Sequence, residues 1–560
     1  MNSCKVLILG GYGAFGGRLA QLIGATPGIQ LIIAGRSREQ AQAFCAQLPA
    51  GYGHEPAVID RDGDLTAQIA PFAPDILVDA TGPFQAYGDA PYRVVEAALA
   101  LGIHYLDLAD GADFVTGARQ FDEAARERGL FILSGVSSFP VLTAAVIRHL
   151  THDITRLDSV RGGIAPSPYA GVGLNVIRAI ASYGGQKVRL IRDGKRAEGR
   201  ALVDSMRYII APPGRVPLRD LRFSLVDVPD LRAIPDLWPD VRDVWMGAGP
   251  VPAILHRGLS WLAGLVGLGL LPSLSPLARL FHFAMNRLRW GEHRGGMFIE
   301  ITGRRADGSR TVRSWHLLAE GDDGPFIPSM AAEALIRKFQ AGQAPPAGAR
   351  AATTDLELDD YRTLFARRTI YEGVREAAVD EAHPMLYRRV LGEAWDRLPQ
   401  PIRELHEVTA HRRATGRAKV LQGTGLTARI VALLFSFPKA ADDVPVEIDF
   451  TVKDDAEIWR RSFAGSSFAS IQRAGQGAFR HMIAERFGPF EFGLALNFDG
   501  ERLHLVLRGW TFLGLRLPLA WAPRGEAHES VHGDKFRFCV EIAHPWCGRI
   551  VRYEGWLRPN

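Results

Sequence analysis

Apolar residues come first in short runs. Val6–Leu9, Leu31–Ala34, Ala57–Ile59, Ile76–Val78 and Leu130–Leu133 are each almost wholly apolar and are separated by helix-length stretches. One such stretch, Tyr92–Leu101, places Val94, Val95, Ala98 and Leu101 on one helical face. Strands without polar alternation, alternating with helices, predict a parallel sheet covered on both faces. Beyond residue 137 the rhythm changes. Gly296–Thr302 and Val312–Ala319 flank the turn "RADGSR", and "IPSMAAEALIRKFQ" (327–340) is an amphipathic helix suited to pack back on the first domain. From about residue 380, "VEIDFTV" and "FEFGLALNFDGERLHLVLRGW" alternate at period two around an Asp-Gly turn. They predict antiparallel strands curling into a sheet or partial barrel.

The pattern therefore predicts an α/β chain. A Rossmann-like doubly wound domain (1–137) leads to a mixed α+β domain (138–345). A connection (346–379) and a β-rich domain (380–560) follow. A length of 560 residues agrees with several cores.

Charge and cysteine change the picture little. The net charge of +5 is small for this length and mixed in sign, so no nucleic-acid face is expected. Four scattered cysteines suit a reduced, cytoplasmic protein without disulfides or a metal site. Residues 258–278, "GLSWLAGLVGLGLLPSLSPLA", carry no charge. Their length suits a membrane span, but Pro272 and Pro276 interrupt them. A buried helix, a peripheral contact with the inner membrane surface and a true span all stay open.

The chemistry gathers at "GGYGAFGG". Gly11, Gly13 and Gly16 form G-x-G-x-x-G between the first strand and a helix, the arrangement that brings backbone N–H groups to a pyrophosphate. The second strand ends in Gly35, Arg36 and Ser37, where an NAD site usually carries an acid. A guanidinium there suits the 2′-phosphate of NADP(H). "DATGPF" places Thr81, Gly82 and Pro83 at the end of the fourth strand, on the nicotinamide side. The cofactor set is Gly11, Tyr12, Gly13, Ala14, Phe15, Gly16, Arg36, Ser37, Asp60, Thr81, Gly82 and Pro83. Hydride transfer needs a proton donor. Tyr87, His104, Tyr105 and Asp107 are the candidates near strand ends. Tyr105, oriented by Asp107, comes first among them, against the reading of a packed aromatic whose hydroxyl is hydrogen-bonded, which the residue fits at least as well. In the last domain Glu457, Trp459, Arg460, Arg461, Glu485 and Arg486 read as surface ion pairs or as the polar rim of a cup, with Trp510 and Trp556 inside it.

The glycine turn, "AGRS", "GPFQAYG", "GIHYLDLADG", "SGVSSFPVLTAAV" and "GGMFIEITGRRADGSRTVRSWHLLAEGDDGPFIP" together resemble the saccharopine dehydrogenase-like oxidoreductases over roughly residues 1–370. The resemblance implies NADP(H)-linked redox chemistry and a second domain (138–345) for substrate and dimerisation, hence a homodimer. It also implies cofactor roles for Gly11, Gly13, Gly16, Arg36, Thr81, Gly82 and Pro83. The lysine-pathway members carry an aspartate before the proline of a Gly-x-Asp-Pro-Gly stretch, where this chain has Ser137 and Ser138. Saccharopine is therefore not the expected substrate; a lipid-like or polyketide-like carbonyl or enoyl compound is. The alternative is a non-catalytic dinucleotide-sensing or lipid-binding protein. "LPQPIRELH", "EIWRRSFAGSSFAS", "ERFGPFEFGLAL" and "VRYEGWLRP" resemble a bacterial domain of uncharacterised function found fused behind such reductases.

Overall fold

The structure, a computed structural model, describes residues 3–171, 173–249, 253–287, 289–378 and 385–560. The chain divides into two compact units, Met1–Tyr208 with Leu221–Tyr371, and Ile209–Asp220 with Glu372–Asn560.

The first unit opens with β1 (Cys4–Leu9), α1 (Gly16–Ile23), β2 (Ile29–Gly35), α2 (Arg38–Cys45), β3 (Glu55–Val58), α3 (Leu65–Ile69), β4 (Ile76–Asp79), α4 (Arg93–Leu101), β5 (His104–Asp107), α5 (Ala112–Gly117), α6 (Asp122–Glu127) and β6 (Phe131–Ser134). A last strand, β15 (Gly348–Ala351), returns from late in the chain and pairs parallel to β6. The sheet order is β15-β6-β5-β4-β1-β2-β3, so the connections reverse direction between β1 and β4. In such sheets the ligand crevice lies at this reversal, outside the carboxyl ends of the strands. Residues of β1, β2, β4, β5 and β6 are almost all buried, which explains their unbroken apolar runs. "GARA" is too short and too small to announce β15. Its pairing with β6 decides it, and the expected connection of 346–379 thus holds a strand and the helix α13 (Leu358–Phe365).

The rest of this unit comprises α7 (Thr143–Leu150), β7 (Ile154–Ala165), α8 (Leu174–Tyr183), β8 (Lys187–Arg192), β9 (Lys195–Arg200), β10 (Ser205–Tyr208), β11 (Leu221–Leu225), α9 (Asp230–Leu237), β12 (Asp243–Ala248), α10 (Ala253–Gly267), α11 (Ala278–Arg287), β13 (Arg294–Arg305), β14 (Arg310–Glu320) and α12 (Ile327–Gln340). The mixed sheet runs β10-β11-β12-β7-β13-β14, with the β8–β9 hairpin on β12. Helix α12 packs along α1. Ser329 Oγ donates to the Phe15 carbonyl at 3.0 Å and Gln340 Nε2 to that of Pro27 at 2.7 Å. The uncharged run 258–278 is split between α10 and the turn before α11. Among the described residues no helix is long and apolar enough to cross a membrane.

Strand β16 (Ile370–Ala378) holds the division between the units. The second unit then adds α14 (Leu386–Leu391), α15 (Gln400–His406), β17 (His411–Gln422), α16 (Leu426–Leu434), β18 (Ala441–Lys453), β19 (Ala456–Phe463), β20 (Ser466–Ala474), β21 (Ile483–Phe487), β22 (Phe490–Phe498), β23 (Leu503–Phe512), β24 (Leu515–Arg516), β25 (Ala527–His532), β26 (Lys535–His544) and β27 (Gly548–Pro559). The order β22-β21-β20-β19-β18-β17-β27-β26-β25-β23 closes through β22–β23 pairing, with β24 appended to β23. The curled sheet is thus a complete antiparallel barrel, without open edges around the ring. Alternate residues point inward, as Val446, Ile448 and Phe450 do on β18, and Tyr387, Ile402 and His406 of α14 and α15 join them inside.

Candidate functional site

At the carboxyl edge of β1 the chain must turn sharply and let a helix begin. Gly10 does so at φ 78°, with no room for a side chain because a Cβ would lie 2.9 Å from the Ala80 carbonyl oxygen. Gly13 N donates to Gly10 O at 2.9 Å and Gly17 N to Gly13 O at 2.9 Å. Among the described residues the N–H groups of Ala14, Phe15 and Gly16 find no acceptor in the protein, and no side chain caps α1. Three free donors at a helix N-terminus, beside an exposed Gly13, are what a pyrophosphate requires, so the turn fits a dinucleotide.

The end of β2 is built from two sides. The Tyr12 ring lies over Gly35, in space that any Cβ would fill, and its hydroxyl accepts from Ser37 N at 3.0 Å. Ser37 Oγ accepts from Gln40 N at 3.3 Å and caps α2. Arg36 projects outward, exposed, with no acidic partner among the described residues. Asp60 lies at the end of β3, where its carboxylate accepts from Asp62 N at 3.2 Å and closes its own turn.

Next to the turn stand two buried carboxylates. Asp79 and Asp107 end β4 and β5 as directly opposed residues in parallel register, both fully buried. Asp79 Oδ1 accepts from Thr81 N at 3.0 Å and Thr81 Oγ1 at 2.6 Å. Burial raises its pKa, and Thr81, Arg61 and Tyr87 oppose that shift. Asp107 Oδ1 accepts from Gly135 N at 2.7 Å and Ala109 N at 3.0 Å, while burial lifts this carboxyl to about 7. The Tyr87 hydroxyl lies 2.5 Å from Thr81 Oγ1 and 3.4 Å from Asp79 Oδ2, with the Arg61 guanidinium 3.5 Å over its ring. Burial and the two aspartates hold the Tyr87 phenol protonated far above neutrality.

Three of the candidate proton donors lie on β5 itself. Tyr105 is the second residue of β5. Its ring is fully buried among Leu7, Leu77 and Ile132. Side chains two apart on a strand share a face, and only Asp107 stands at the edge. His104 begins β5, at the amino end. Its Nδ1 accepts from Phe131 N at 3.2 Å and its ring stacks on Phe131.

Other groups lie near these residues without any signal in the sequence. The would-be Cβ of Gly173, ahead of α8, lies 3.8 Å from Ala14 Cβ. At the far end of α8, burial followed by Asp110 and Asp227 pushes the Tyr183 phenol up. Helix α8 thereby runs past the carboxyl edge from the glycine turn toward the loop after β5. There Gln85 Nε2 donates to Asp110 Oδ1 at 3.0 Å.

In the second unit Arg461 and Glu485 are buried inside the barrel rather than on a rim. Arg461 bonds Ser470 Oγ at 2.8 Å and Glu485 Oε1 at 3.2 Å. Ser470 and Gln472 also donate to Glu485. Glu457 accepts from Trp459 Nε1 at 3.0 Å. Trp510 is buried and donates to the Pro518 carbonyl, and Trp556 is half-buried beneath Lys535.

Residues 6–133 match the family described as the saccharopine dehydrogenase NADP binding domain, and residues 398–557 match a domain of unknown function, DUF4166. The chain carries both, one at each end. No curated protein matches it significantly. Among solved structures it is similar to saccharopine dehydrogenase (L-Glu forming) from Saccharomyces cerevisiae, with 15% identity and a TM-score of 0.48, over 67% of this chain and 100% of that one. A second similar structure is biliverdin reductase from Synechocystis sp. PCC 6803, solved with biliverdin and NADP+, with 13% identity and a TM-score of 0.30, over 61% and 92%. The first domain is an NAD(P)-binding oxidoreductase fold.

Proposed function

We propose that the protein is an NADPH-dependent oxidoreductase that reduces a carbonyl or activated alkene of a hydrophobic compound. The observation that carries this reading is the set of free N–H groups at Ala14, Phe15 and Gly16, with the unpaired Arg36 at the end of β2. The three amides would hold the pyrophosphate and Arg36 the 2′-phosphate. An acid at that place would repel it. NADPH, when bound, supplies the hydride. Thr81, Gly82 and Pro83 would border the nicotinamide. The Tyr87 phenol, held by Thr81 and Asp79, is the proton donor this reading assigns. Asp107, with a pKa of about 7, would hold or release a proton beside Asp79. Tyr105 would serve only as packing behind them. In a fluorescence titration, Arg36→Ala weakens NADPH by more than about tenfold and leaves NADH within about twofold. Equal loss for both coenzymes would reject the assignment.

The same reading places the enzyme on an anionic lipid surface, where such a substrate resides. Ile254, Trp261, Leu268, Leu280, Phe283 and Trp290 are each 59–73% exposed. No acid occurs between positions 244 and 291, while Arg257, Arg279, Arg287 and Arg289 are exposed beside them. Apolar side chains with basic neighbours complement an acidic headgroup layer. Vesicles containing phosphatidylglycerol should co-sediment the protein, and Trp261→Ser with Phe283→Ser should release it. Self-association in solution with no vesicle binding would hand this face to a second copy.

A further inference from the structure

We propose that the barrel binds a divalent transition-metal ion at His504, Glu526 and His528, a site separate from the dinucleotide crevice. His504 on β23 lies directly opposite His528 on β25, and Glu526 stands two positions before His528, on the same side. One ligating atom of each residue lies within 4.8 Å of the other two. His528 Nδ1 is 3.0 Å from Glu526 Oε1. The edge of a tetrahedron with bonds of about 2.0 Å is about 3.3 Å, so these two atoms already have ligand spacing. That nitrogen is buried, with the Glu526 carboxylate as its neighbour.

His504 carries the support that metal-bound imidazoles usually have. Its Nε2 donates to Asp499 Oδ2 at 2.8 Å, which leaves Nδ1 for an ion. Asp499 is itself fixed, its Oδ1 accepting from Glu501 N at 2.8 Å and Arg502 N at 2.7 Å. Two imidazoles and one carboxylate suit zinc or a neighbouring transition ion, whereas calcium and magnesium favour oxygen ligands. Three protein ligands also leave a coordination position open. His504 and Glu526 border a cavity of about 580 Å³ that also involves Leu519 and Arg524, so an exogenous ligand has room to reach the ion.

The test uses the full-length protein stripped with chelator and titrated with zinc by calorimetry, then with cobalt by absorption. One equivalent should bind, and cobalt should give the visible bands of a low-coordinate nitrogen and oxygen site. His504→Ala and His528→Ala should each weaken binding by about 100-fold or more, and Asp499→Asn by about 10- to 100-fold. His532→Ala, exposed on the same strand, should bind as the wild type does. Glu526→Gln alters only an exposed carboxylate and keeps the test valid if a histidine variant misfolds. Absence of a stoichiometric site, or zinc affinity unchanged in the His504→Ala, His528→Ala double variant, would overturn the proposal.

Discussion

The open sheet and the closed barrel keep their buried charge in opposite places. In the first, the interior is apolar and the carboxylates Asp79 and Asp107 sit at strand ends, next to backbone donors that have no protein partner. In the second, Arg461, Ser470 and Gln472 all donate to Glu485 within the barrel, with Arg461 beside Trp459 and Phe468. A parallel sheet ends in loops, so charge at its edge can meet a ligand. A closed ring has no such edge, so charge inside it must be matched by the protein itself. The difference separates buried polar groups poised for chemistry from buried polar groups that define a fold.

Two variants would break or sharpen that contrast. The larger effect is expected in the barrel. Arg461→Ala strands Glu485 in a low-dielectric interior and should destabilise this unit by about 3–5 kcal/mol, read from its denaturant midpoint. A loss below about 1 kcal/mol would show the network to be wet and dispensable. The smaller effect belongs to the sheet. Folded Asp107 keeps its proton to about pH 7, while the unfolded chain releases it near 4, so the folded state binds more protons in between. Stability should therefore fall as pH rises through that window, by about 1.4 kcal/mol per unit from this group. Asp107→Asn removes the penalty and keeps an acceptor for Gly135 and Ala109. Relative to wild type it should gain about 2–3 kcal/mol between pH 5 and pH 7 in chemical denaturation. Asp79 and Asp230 are shifted the same way, so only the difference between the two proteins isolates Asp107. A difference that does not vary with pH would mean that Asp107 ionises normally and is no proton store.

Much of the first domain was legible in the chain because its physics is local. Unbroken apolar runs follow from strands buried on both faces, and the glycine turn follows from backbone crowding that only glycine relieves. The end of β2 was equally plain, since Arg36 and Ser37 stand where an acid would otherwise be expected. The proton donor proposed above was not. Tyr105 and Tyr87 are both aromatic residues near strand ends, and only register puts one in the core and the other beside Thr81 and Asp79. His104 was likewise a candidate until its place at the start of β5 became visible. Arg461 and Glu485, read as surface ion pairs or rim charges, lie inside because β19, β20 and β21 turn those positions toward the barrel axis.

The sequence by itself determined the order of layers, the phosphate turn, the candidate coenzyme and an apolar stretch without acids. Each of these depends on neighbours within a few residues, where periodicity and backbone sterics act. Tertiary structure decided which tyrosine lies beside Thr81 and Asp79, that Asp79 and Asp107 stand side by side, that "GARA" completes a sheet, and that His504 faces His528. These depend on parallel register, ring closure and cross-strand pairing between segments far apart in the chain, which no local pattern encodes.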